Sequence, residues 1–205
     1  MSFLDSDEDP KLAKRRPLLF FLLATLAVGT SASVFTEPNI TGWYAGLAHP
    51  SFAPPNWVFA PVWTTLYVVM AVAAWRVWKL RPASPARGAL VEEVVVAGPG
   101  GPSAKRSSGP FAGPTASEDR WGLKNIEMFA YAVQLLFNFA WSAIFFAAHR
   151  IGLAFIEICI LLVLILATTI LFWRRDPVAG LLFLPYLAWT AFAAALNDAF
   201  WALNP

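Results

Sequence analysis

Five apolar stretches of membrane-spanning length are the feature that most constrains how this chain of 205 residues can fold. A bilayer core about 30 Å thick is crossed by a helix of about 20 apolar residues. Backbone N–H and C=O groups in lipid must be hydrogen-bonded within the segment, so each stretch is predicted to be a helix. The sequence therefore predicts an all-α integral membrane protein, a five-transmembrane-helix bundle with spans at 17–36, 59–79, 126–148, 151–173 and 178–203.

The composition excludes several other classes of protein. Apolar residues make up 58% of the chain and charged residues only 14%, with a mean hydropathy of +0.58, whereas about 25% of a soluble domain is charged. A disordered chain and a nucleic-acid-binding module are thereby excluded, so no nucleic-acid partner is expected. Cys159 has no second cysteine to pair with, and with only His49 and His149 besides, the sequence predicts no clustered metal site.

The first span has two interpretations. It follows a basic cluster in residues 11–16, and the small residues 31–33 could be the cleavage site of a signal peptide. The apolar run is longer than a typical signal sequence, however, and the leader begins with acidic residues. We therefore interpret the first span as a retained helix behind an N-terminal tail, 1–16.

One long segment between the predicted helices is polar. In residues 80–125, Pro, Gly and Ser account for 18 of 46 residues, above the roughly 25–30% at which a non-periodic segment is expected to be disordered. We predict a disordered insert there, between a unit with helices one and two, 17–79, and a unit with helices three to five, 126–205.

Basic residues predict the orientation. With five spans, 14 of the 15 Lys and Arg residues fall on the side of the N-terminus and the 80–125 segment, and only Arg150 falls on the other. Lys and Arg are enriched in cytoplasmic loops. In a bacterial inner membrane, the N-terminus and the insert would be cytoplasmic and the C-terminus outside.

A proline-rich and aromatic loop, 37–58, joins the first two predicted helices. Pro38, Pro50, Pro54 and Pro55 fix φ and are expected to exclude a regular helix, which gives a rigid loop with Asn56 as the N-cap of helix two. Its aromatic side chains fit either a binding surface or the aromatic belt at a membrane interface. These side chains are Trp43, Tyr44, Phe52 and Trp57.

Three predicted helices each carry a polar or aromatic stripe at helical spacing. Polar groups in a span normally face the bundle interior or a cavity, so the stripes predict an aromatic-lined pocket below the rigid loop. The alternative is hydrogen bonding between helices by Gln134, Asn138 and Asn197. The stripes are Trp63, Tyr67, Met70 and Ala74; Gln134, Asn138, Trp141 or Ser142, and Phe145; and Tyr186, Trp189 or Thr190, Ala193 and Asn197.

Two further features are predicted to serve packing. Gly29 and Ser33 form a small-xxx-small pair suited to close helix contact, within the bundle or in a dimer. Glu157 and Asp198 lie near the predicted outer surface, where snorkelling or a helix–helix hydrogen bond is expected, with a proton relay as the alternative.

Ordered motifs identify a family. The chain resembles the tryptophan-rich sensory protein/translocator protein family (TspO/MBR, peripheral benzodiazepine receptor-like) over residues 17–79 and 126–205; the 80–125 insert has no counterpart in the family. The motifs are Trp-Tyr-Ala-Gly-Leu (43–47), Pro-Ser (50–51), Pro-Pro-Asn-Trp-Val-Phe-Ala-Pro-Val-Trp-Thr-Thr-Leu-Tyr (54–67), Gln-Leu-Leu-Phe-Asn-Phe-Ala-Trp-Ser (134–142), Pro-Tyr-Leu-Ala-Trp (185–189) and Leu-Asn (196–197).

The resemblance implies a five-helix bundle, often a homodimer, that binds porphyrins such as protoporphyrin IX and haem as ligands, together with sterol-like or benzodiazepine-type molecules. It implies no required cofactor. His49 stands where a Lys is frequent and is a weak candidate for a haem ligand, and Asp198 replaces the tyrosine of the sterol-recognition motif, which weighs against sterol binding. The implied ligand-binding residues are Trp43, Tyr44, Pro54, Trp57, Phe59, Trp63, Asn138, Trp141, Trp189, Ala193 and Asn197.

Three functions fit the sequence. The first is a porphyrin-binding membrane receptor or transporter-like protein, sensory or regulatory in tetrapyrrole or stress metabolism. The second, which the family resemblance suggests, is a light-dependent porphyrin-degrading enzyme, in which Trp63 and Trp189 would be the reactive groups. The third is a membrane scaffold that acts through its cytoplasmic insert. The sequence contains no recognisable nucleophile triad or acid–base pair, so no catalytic residue is assigned.

Overall fold

The computed structural model describes residues 10–80 and 118–205, and their side chains in 16–80 and 126–205. Five long helices occupy these ranges, which contain no strand, as the sequence predicts. Short 3₁₀ turns at Tyr44–Gly46 and Asn56–Val58 interrupt the loop between the first two helices. The helices are α1 Pro10–Ile40, α2 Phe59–Lys79, α3 Glu118–Ser142, α4 Ile151–Arg175 and α5 Pro177–Leu203, with a π-helical turn, Ala143–Ala147, at the end of α3.

The helices close into a ring in the order α1, α2, α5, α4, α3, each packing against the next, and α3 packs against α1. In the described ranges, five segments are long and apolar enough to cross a membrane: Arg16–Ile40, Asn56–Lys79, Ile126–Ala147, Ile151–Arg175 and Pro177–Leu203. Large apolar side chains such as Phe20, Phe129 and Val163 are exposed on the outside of the ring. A surface of this kind is stable when lipid covers it.

The two ends of the ring differ. We call the loop between α1 and α2, residues 41–58, the lid, and the end of the ring that holds it the lid end. The turn between α3 and α4 and the C-terminus lie at the same end. We call the other the ion-pair end, where Nε of Arg76 lies 2.6 Å from Oδ2 of Asp176 and Nε of Arg175 lies 2.6 Å from Oε1 of Glu127. These pairs connect α2 with the start of α5, and α4 with α3.

The sharp turn between α4 and α5 depends on Asp176 and Pro177 in the turn and on Arg76 of α2. The side chain of Asp176 caps α5 by accepting a hydrogen bond from the Val178 N–H at 3.0 Å, and Pro177 supplies the φ of the first helical position without needing a hydrogen bond there. The Arg76 guanidinium donates a hydrogen bond to the Asp176 carboxylate and thereby lowers the pKa of that carboxyl. The cap therefore stays ionised at neutral pH.

Several predicted boundaries need correction. The expectation that Pro38 excludes a regular helix is wrong, because α1 continues to Ile40. Pro38 lies in the last turn of α1, where its missing N–H costs only the bond to the Val34 carbonyl. Asn56 begins a 3₁₀ turn, so it is not the N-cap of α2; the structure places Val58 in that position and shows no side-chain cap.

The predicted insert is also shorter than expected on its C-terminal side. Residues 118–125 have a helical backbone and belong to α3. The rest of the predicted disordered segment, 81–117, and the first nine residues of the predicted tail lie outside the described residues. The third predicted span, 126–148, is helical as far as 147, but its end widens into the π-helical turn, which the sequence did not indicate.

Candidate functional site: a cavity below the lid

A cavity of about 430 Å³ lies inside the ring near the lid end, within the range of about 300–1,000 Å³ typical of ligand pockets. All five helices contribute to its wall, and Tyr44 contributes from the loop. The exposed residues of the lining lie on α1, in the 3₁₀ turn before α2 and in the first turns of α2, so the cavity opens between these two helices. We call this opening the mouth; its exposed residues are Thr30, Glu37, Asn56, Ala60 and Thr64.

The three predicted stripes largely converge on this cavity. From α2, α3 and α5 the lining includes Trp63 and Tyr67, Asn138 and Ser142, and Thr190. Met70, Ala74, Gln134 and Tyr186 lie deeper in the bundle and are outside the lining. Eight of the eleven residues implied by the family resemblance line the cavity: Tyr44, Phe59, Trp63, Asn138, Trp141, Trp189, Ala193 and Asn197.

The other three implied residues lie outside the lining. The indole of Trp43 stacks on the His149 ring at 4.3 Å between ring centroids and packs edge-on against Phe145. Pro54 is half-buried in the loop, and Trp57 is 75% exposed. Trp43 therefore helps hold the lid in place, whereas the exposure of Trp57 fits the aromatic-belt interpretation.

A chain of hydrogen bonds forms the floor of the cavity. The Tyr67 hydroxyl donates to Oδ1 of Asn138 at 2.7 Å, and Nδ2 of Asn138 donates to the Tyr186 hydroxyl at 3.1 Å. The Tyr186 hydroxyl in turn donates to Oε1 of Gln134 at 2.9 Å. Since Tyr67 and Asn138 line the cavity while Tyr186 and Gln134 do not, the chain fixes the orientation of the floor from below. Both interpretations of Asn138 therefore hold: it joins helices and it lines the pocket.

A second polar contact holds the wall between α3, α4 and α5. The Trp141 indole N–H donates to Oδ1 of Asn197 at 3.1 Å, and Nδ2 of Asn197 donates to the Ile151 carbonyl at 2.9 Å. Both groups of the Asn197 amide are thus occupied. Trp141 is held in a fixed position with its ring stacked on Phe145, 5.2 Å between centroids.

Two buried polar groups of the lining residues have no hydrogen-bond partner in the described part of the chain. They are the indole N–H of Trp189 and the hydroxyl of Thr190, and both atoms are buried. A buried donor without a partner costs about 1–3 kcal/mol. Neighbouring side chains cover both atoms, so neither is exposed to the open space of the cavity.

Sequence reasoning missed the contribution of α1 to the site. The lining includes Gly29 and Ser33, which were assigned to helix packing, and also Thr36 and Glu37. Gly29 lies against Tyr67: a Cβ there would be 2.6 Å from Cδ2 of the Tyr67 ring. Glycine is therefore needed at this position for the Tyr67 ring to reach Asn138. The missed signal was a row of small and polar residues on an otherwise large and apolar helix.

The lid is fixed to the C-terminus. The Asn204 side chain accepts a hydrogen bond from the Ala48 N–H at 2.9 Å and donates one to the Ala48 carbonyl at 3.1 Å. Nε2 of His49 lies 3.2 Å from the Tyr44 carbonyl oxygen, and the His49 ring packs edge-on against Phe200. Burial raises the pKa of the Tyr44 hydroxyl, which therefore stays protonated.

These contacts bear on haem. His49 is outside the lining of the cavity, and its Nε2 is already directed to the Tyr44 carbonyl. It therefore does not fit as an axial ligand for a macrocycle in the cavity. Among the described residues, no group of three His, Cys, Asp or Glu side chains is placed to hold a metal ion.

The fold and the site define a class: a helical membrane protein in which five helices enclose a cavity with several aromatic side chains in its wall. Comparison with known proteins gives the family. The sequence profile of the TspO/MBR family matches residues 21–202. The chain is 34% identical over 188 residues to the translocator protein of Homo sapiens, a match that covers 92% of this chain and 90% of the relative.

Bacterial proteins are similarly related. The chain is 31% identical over 185 residues to protein CrtK of Rhodobacter capsulatus, covering 90% of this chain and 91% of that protein. It is 29% identical over 186 residues to the tryptophan-rich sensory protein of Cereibacter sphaeroides, with coverages of 91% and 90%. The chain belongs to the TspO/MBR family, and it is a multi-pass integral membrane protein with five membrane-spanning helices in its described part.

Proposed function

We propose that this protein is a membrane receptor or transporter-like protein that binds flat hydrophobic ligands, porphyrins such as protoporphyrin IX and haem among them, in the cavity below the lid. Its role would be sensory or regulatory in tetrapyrrole or stress metabolism. The observation that carries the proposal is that indole rings from three helices, Trp63, Trp141 and Trp189, line one cavity of ligand size.

The wall suits a flat aromatic ligand. Indole and phenyl rings offer a large contact area with few rotatable bonds, and each well-placed aromatic pair adds about 0.5–1.5 kcal/mol beyond burial. The ring of Trp63 stacks on Tyr67 at 5.6 Å between centroids, and Phe59 packs edge-on against Trp189 at 5.9 Å. The rings are thus supported by neighbours, and a ligand would stack on surfaces already held in place. No cofactor is required for binding of this kind.

Titration with protoporphyrin IX tests the proposal. We expect micromolar binding to the purified protein, seen as quenching of Trp fluorescence. Trp63→Phe and Trp189→Phe should each weaken binding about two- to ten-fold, since each removes part of an aromatic contact. Trp173→Phe and Trp201→Phe are matched controls, because both indoles are partly exposed and outside the lining. If all four variants bind alike, the cavity is not the porphyrin site.

A light-dependent porphyrin-degrading activity is the second candidate, because Trp63 and Trp189 both line the cavity and would lie beside a bound macrocycle. An indole can transfer an electron to an excited porphyrin. Illumination of the complex distinguishes the two functions: an enzyme consumes many equivalents of porphyrin, whereas a receptor bleaches at most one. The variants Trp63→Phe and Trp189→Phe should abolish turnover in the first case.

The assembly and the orientation are part of the same proposal. We propose a homodimer, as the family resemblance implies, in which the exposed apolar faces of the ring supply the contact.

The distribution of basic residues supports an N-terminus in the cytoplasm and a C-terminus outside if the protein lies in a bacterial inner membrane. A reporter fused after Pro205 should then be active only in the exported compartment. The scaffold function of segment 80–125 would be tested by deletion of residues 81–117, which leaves the helical residues 118–125 of α3 in place.

A further inference from the structure

The lining of the cavity is unbalanced in charge. Glu37 is the one charged side chain among the described residues that line it, and the lining contains no Lys, Arg or His. Glu37 is exposed at the mouth. It lies in the last turn of α1, where the helix dipole also contributes negative potential. An anionic group that approaches the mouth therefore meets repulsion from two sources.

No positively charged side chain of the lining offsets this charge. The loop from 37 to 58 contains neither Lys nor Arg. His49 is held against the Tyr44 carbonyl. His149, whose Nε2 lies 3.1 Å from Oδ1 of Asn39, and Arg150 are at the same end of the molecule but lie outside the lining. A carboxylate at the mouth would find no cation in the lining to pair with.

The buried end of the cavity also favours an uncharged ligand. The Trp189 N–H and the Thr190 hydroxyl are covered by neighbouring side chains, so neither is exposed to a carboxylate in the cavity. An ionised carboxylate buried here, with no cation beside it, would lose its hydration without an equivalent replacement.

We propose that the cavity selects the uncharged or cationic form of a flat hydrophobic ligand, and that Glu37 at the mouth disfavours anionic ligands. This inference rests on the proposed function, because it specifies the charge of the ligand that the same cavity binds. A porphyrin with two free carboxylates would bind with part of its affinity lost to Glu37. The corresponding neutral porphyrin would bind without that loss.

The test compares protoporphyrin IX with its dimethyl ester, which keeps the macrocycle and removes both charges. Each is titrated into the wild type, Glu37→Gln, and Asp198→Asn as a matched control. Asp198 is exposed near the C-terminal end of α5 and is outside the lining, so its substitution removes one negative charge from the same end without altering the cavity. The two ligands partition differently into detergent, but this difference is the same for all three proteins and cancels when affinity ratios are compared.

We expect the ester to bind more tightly than the diacid in the wild type. Glu37→Gln should reduce the ester-to-diacid affinity ratio about three- to ten-fold, the size expected of an exposed charge acting on a doubly charged ligand. Asp198→Asn should leave the ratio unchanged. Raising the salt concentration from about 0.1 M to about 1 M shortens the Debye length from about 10 Å to about 3 Å. The ester-to-diacid affinity ratios of wild type and Glu37→Gln should therefore become more similar.

The outcomes separate this inference from the proposed function. If neither porphyrin binds the wild type, the porphyrin-binding function itself fails. If both bind but Glu37→Gln leaves the ratio as it is in the wild type, or Asp198→Asn changes it equally, porphyrin binding stands and selection by Glu37 is refuted.

Discussion

The two ends of the ring differ in how side chains fill the space between the helices. At the ion-pair end, large rings fill the space between the helices: Phe172 and Phe183 are fully buried and pack 5.0 Å apart between centroids, with Tyr131 stacked on Phe172. At the lid end, the same helices enclose a cavity of about 430 Å³. The rings at the lid end are equally large, but they pack against one another in the wall and leave the centre open.

The polar groups of the two ends also differ in their contacts. At the ion-pair end the Tyr131 hydroxyl lies 2.5 Å from the Thr25 hydroxyl, and Arg76 and Arg175 are bound to carboxylates. The buried N–H of Trp75, next to Arg76, has no partner among the described residues. In the cavity wall, the Trp189 N–H and the Thr190 hydroxyl are left without partners in the described chain. The clearest difference between the ends is therefore the space they enclose: packed aromatic rings and ion pairs fill one end, and the other leaves a cavity.

Removing an aromatic side chain from the ion-pair end should give the largest loss of stability. Phe172→Ala deletes a fully buried side chain, and we expect it to lower the free energy of unfolding by about 2–4 kcal/mol. This loss is smaller than is usual in the core of a soluble protein, because lipid also solvates apolar side chains. Thermal unfolding in detergent measures the effect. Phe129→Ala is the control, since that ring is 68% exposed on the outside of α3. If the two variants unfold at the same temperature, the ion-pair end is not the stable half. The ligand affinity of folded Phe172→Ala should stay within about two-fold.

The floor of the cavity lies between the two ends, and a change there should affect stability and binding together. Asn138→Leu leaves the Tyr67 hydroxyl without its acceptor and should cost about 1–2 kcal/mol, as hydrogen bonds between membrane helices do at their strongest. It should also weaken ligand binding, because both residues line the cavity.

A double-mutant cycle with Tyr67→Phe isolates the hydrogen bond. The cost of Asn138→Leu should be smaller when Tyr67 has already lost its hydroxyl, and additive effects would show that the bond contributes nothing. Tyr131→Phe is the matching substitution at the ion-pair end. It breaks the contact with Thr25, which is outside the cavity, and so should lower stability without changing affinity.

The sequence predicted the helices and most of the cavity wall because both depend on local pattern. The stripes on α2, α3 and α5 follow from helical spacing and from the cost of polar groups in lipid. The part of the wall formed by α1 could not be predicted in this way. The role of Gly29 depends on the Tyr67 ring, which lies on another helix, and small residues give the same signal whether they face a helix or a cavity.

Glu157 shows the same limit. Its position in α4 indicated snorkelling or a helix–helix hydrogen bond, but the side chain is buried and neither carboxylate oxygen has a partner among the described residues. The direction of a side chain within a ring of five helices depends on the rotation of each helix, which short sequence motifs do not determine. The π-helical turn at Ala143–Ala147 and the positive φ of His149 lie where the chain packs against Trp43, and no short sequence pattern marks either feature.

The smallest effect on stability is expected from the ion pair between Arg76 and Asp176. Asp176→Asn keeps a good N-cap for α5 but removes the charge that binds Arg76. Because the Arg76 side chain is 36% exposed, solvent screens the pair, and we expect a loss of at most about 1 kcal/mol at pH 7.

The pH dependence of that difference identifies its origin. The hydrogen bond from Arg76 lowers the pKa of Asp176 in the folded state, so the stabilisation is complete above the unfolded pKa, about 3.9, and is lost as the pH falls through the folded value. The difference in stability between wild type and Asp176→Asn should therefore be constant from about pH 6 to 8 and shrink below about pH 4. A difference that persists unchanged in acid would mean that the substitution acts through the cap or the packing and not through the ion pair. Porphyrin affinity should be unaffected at any pH where both proteins are folded, since Asp176 lies at the end of the ring opposite the cavity.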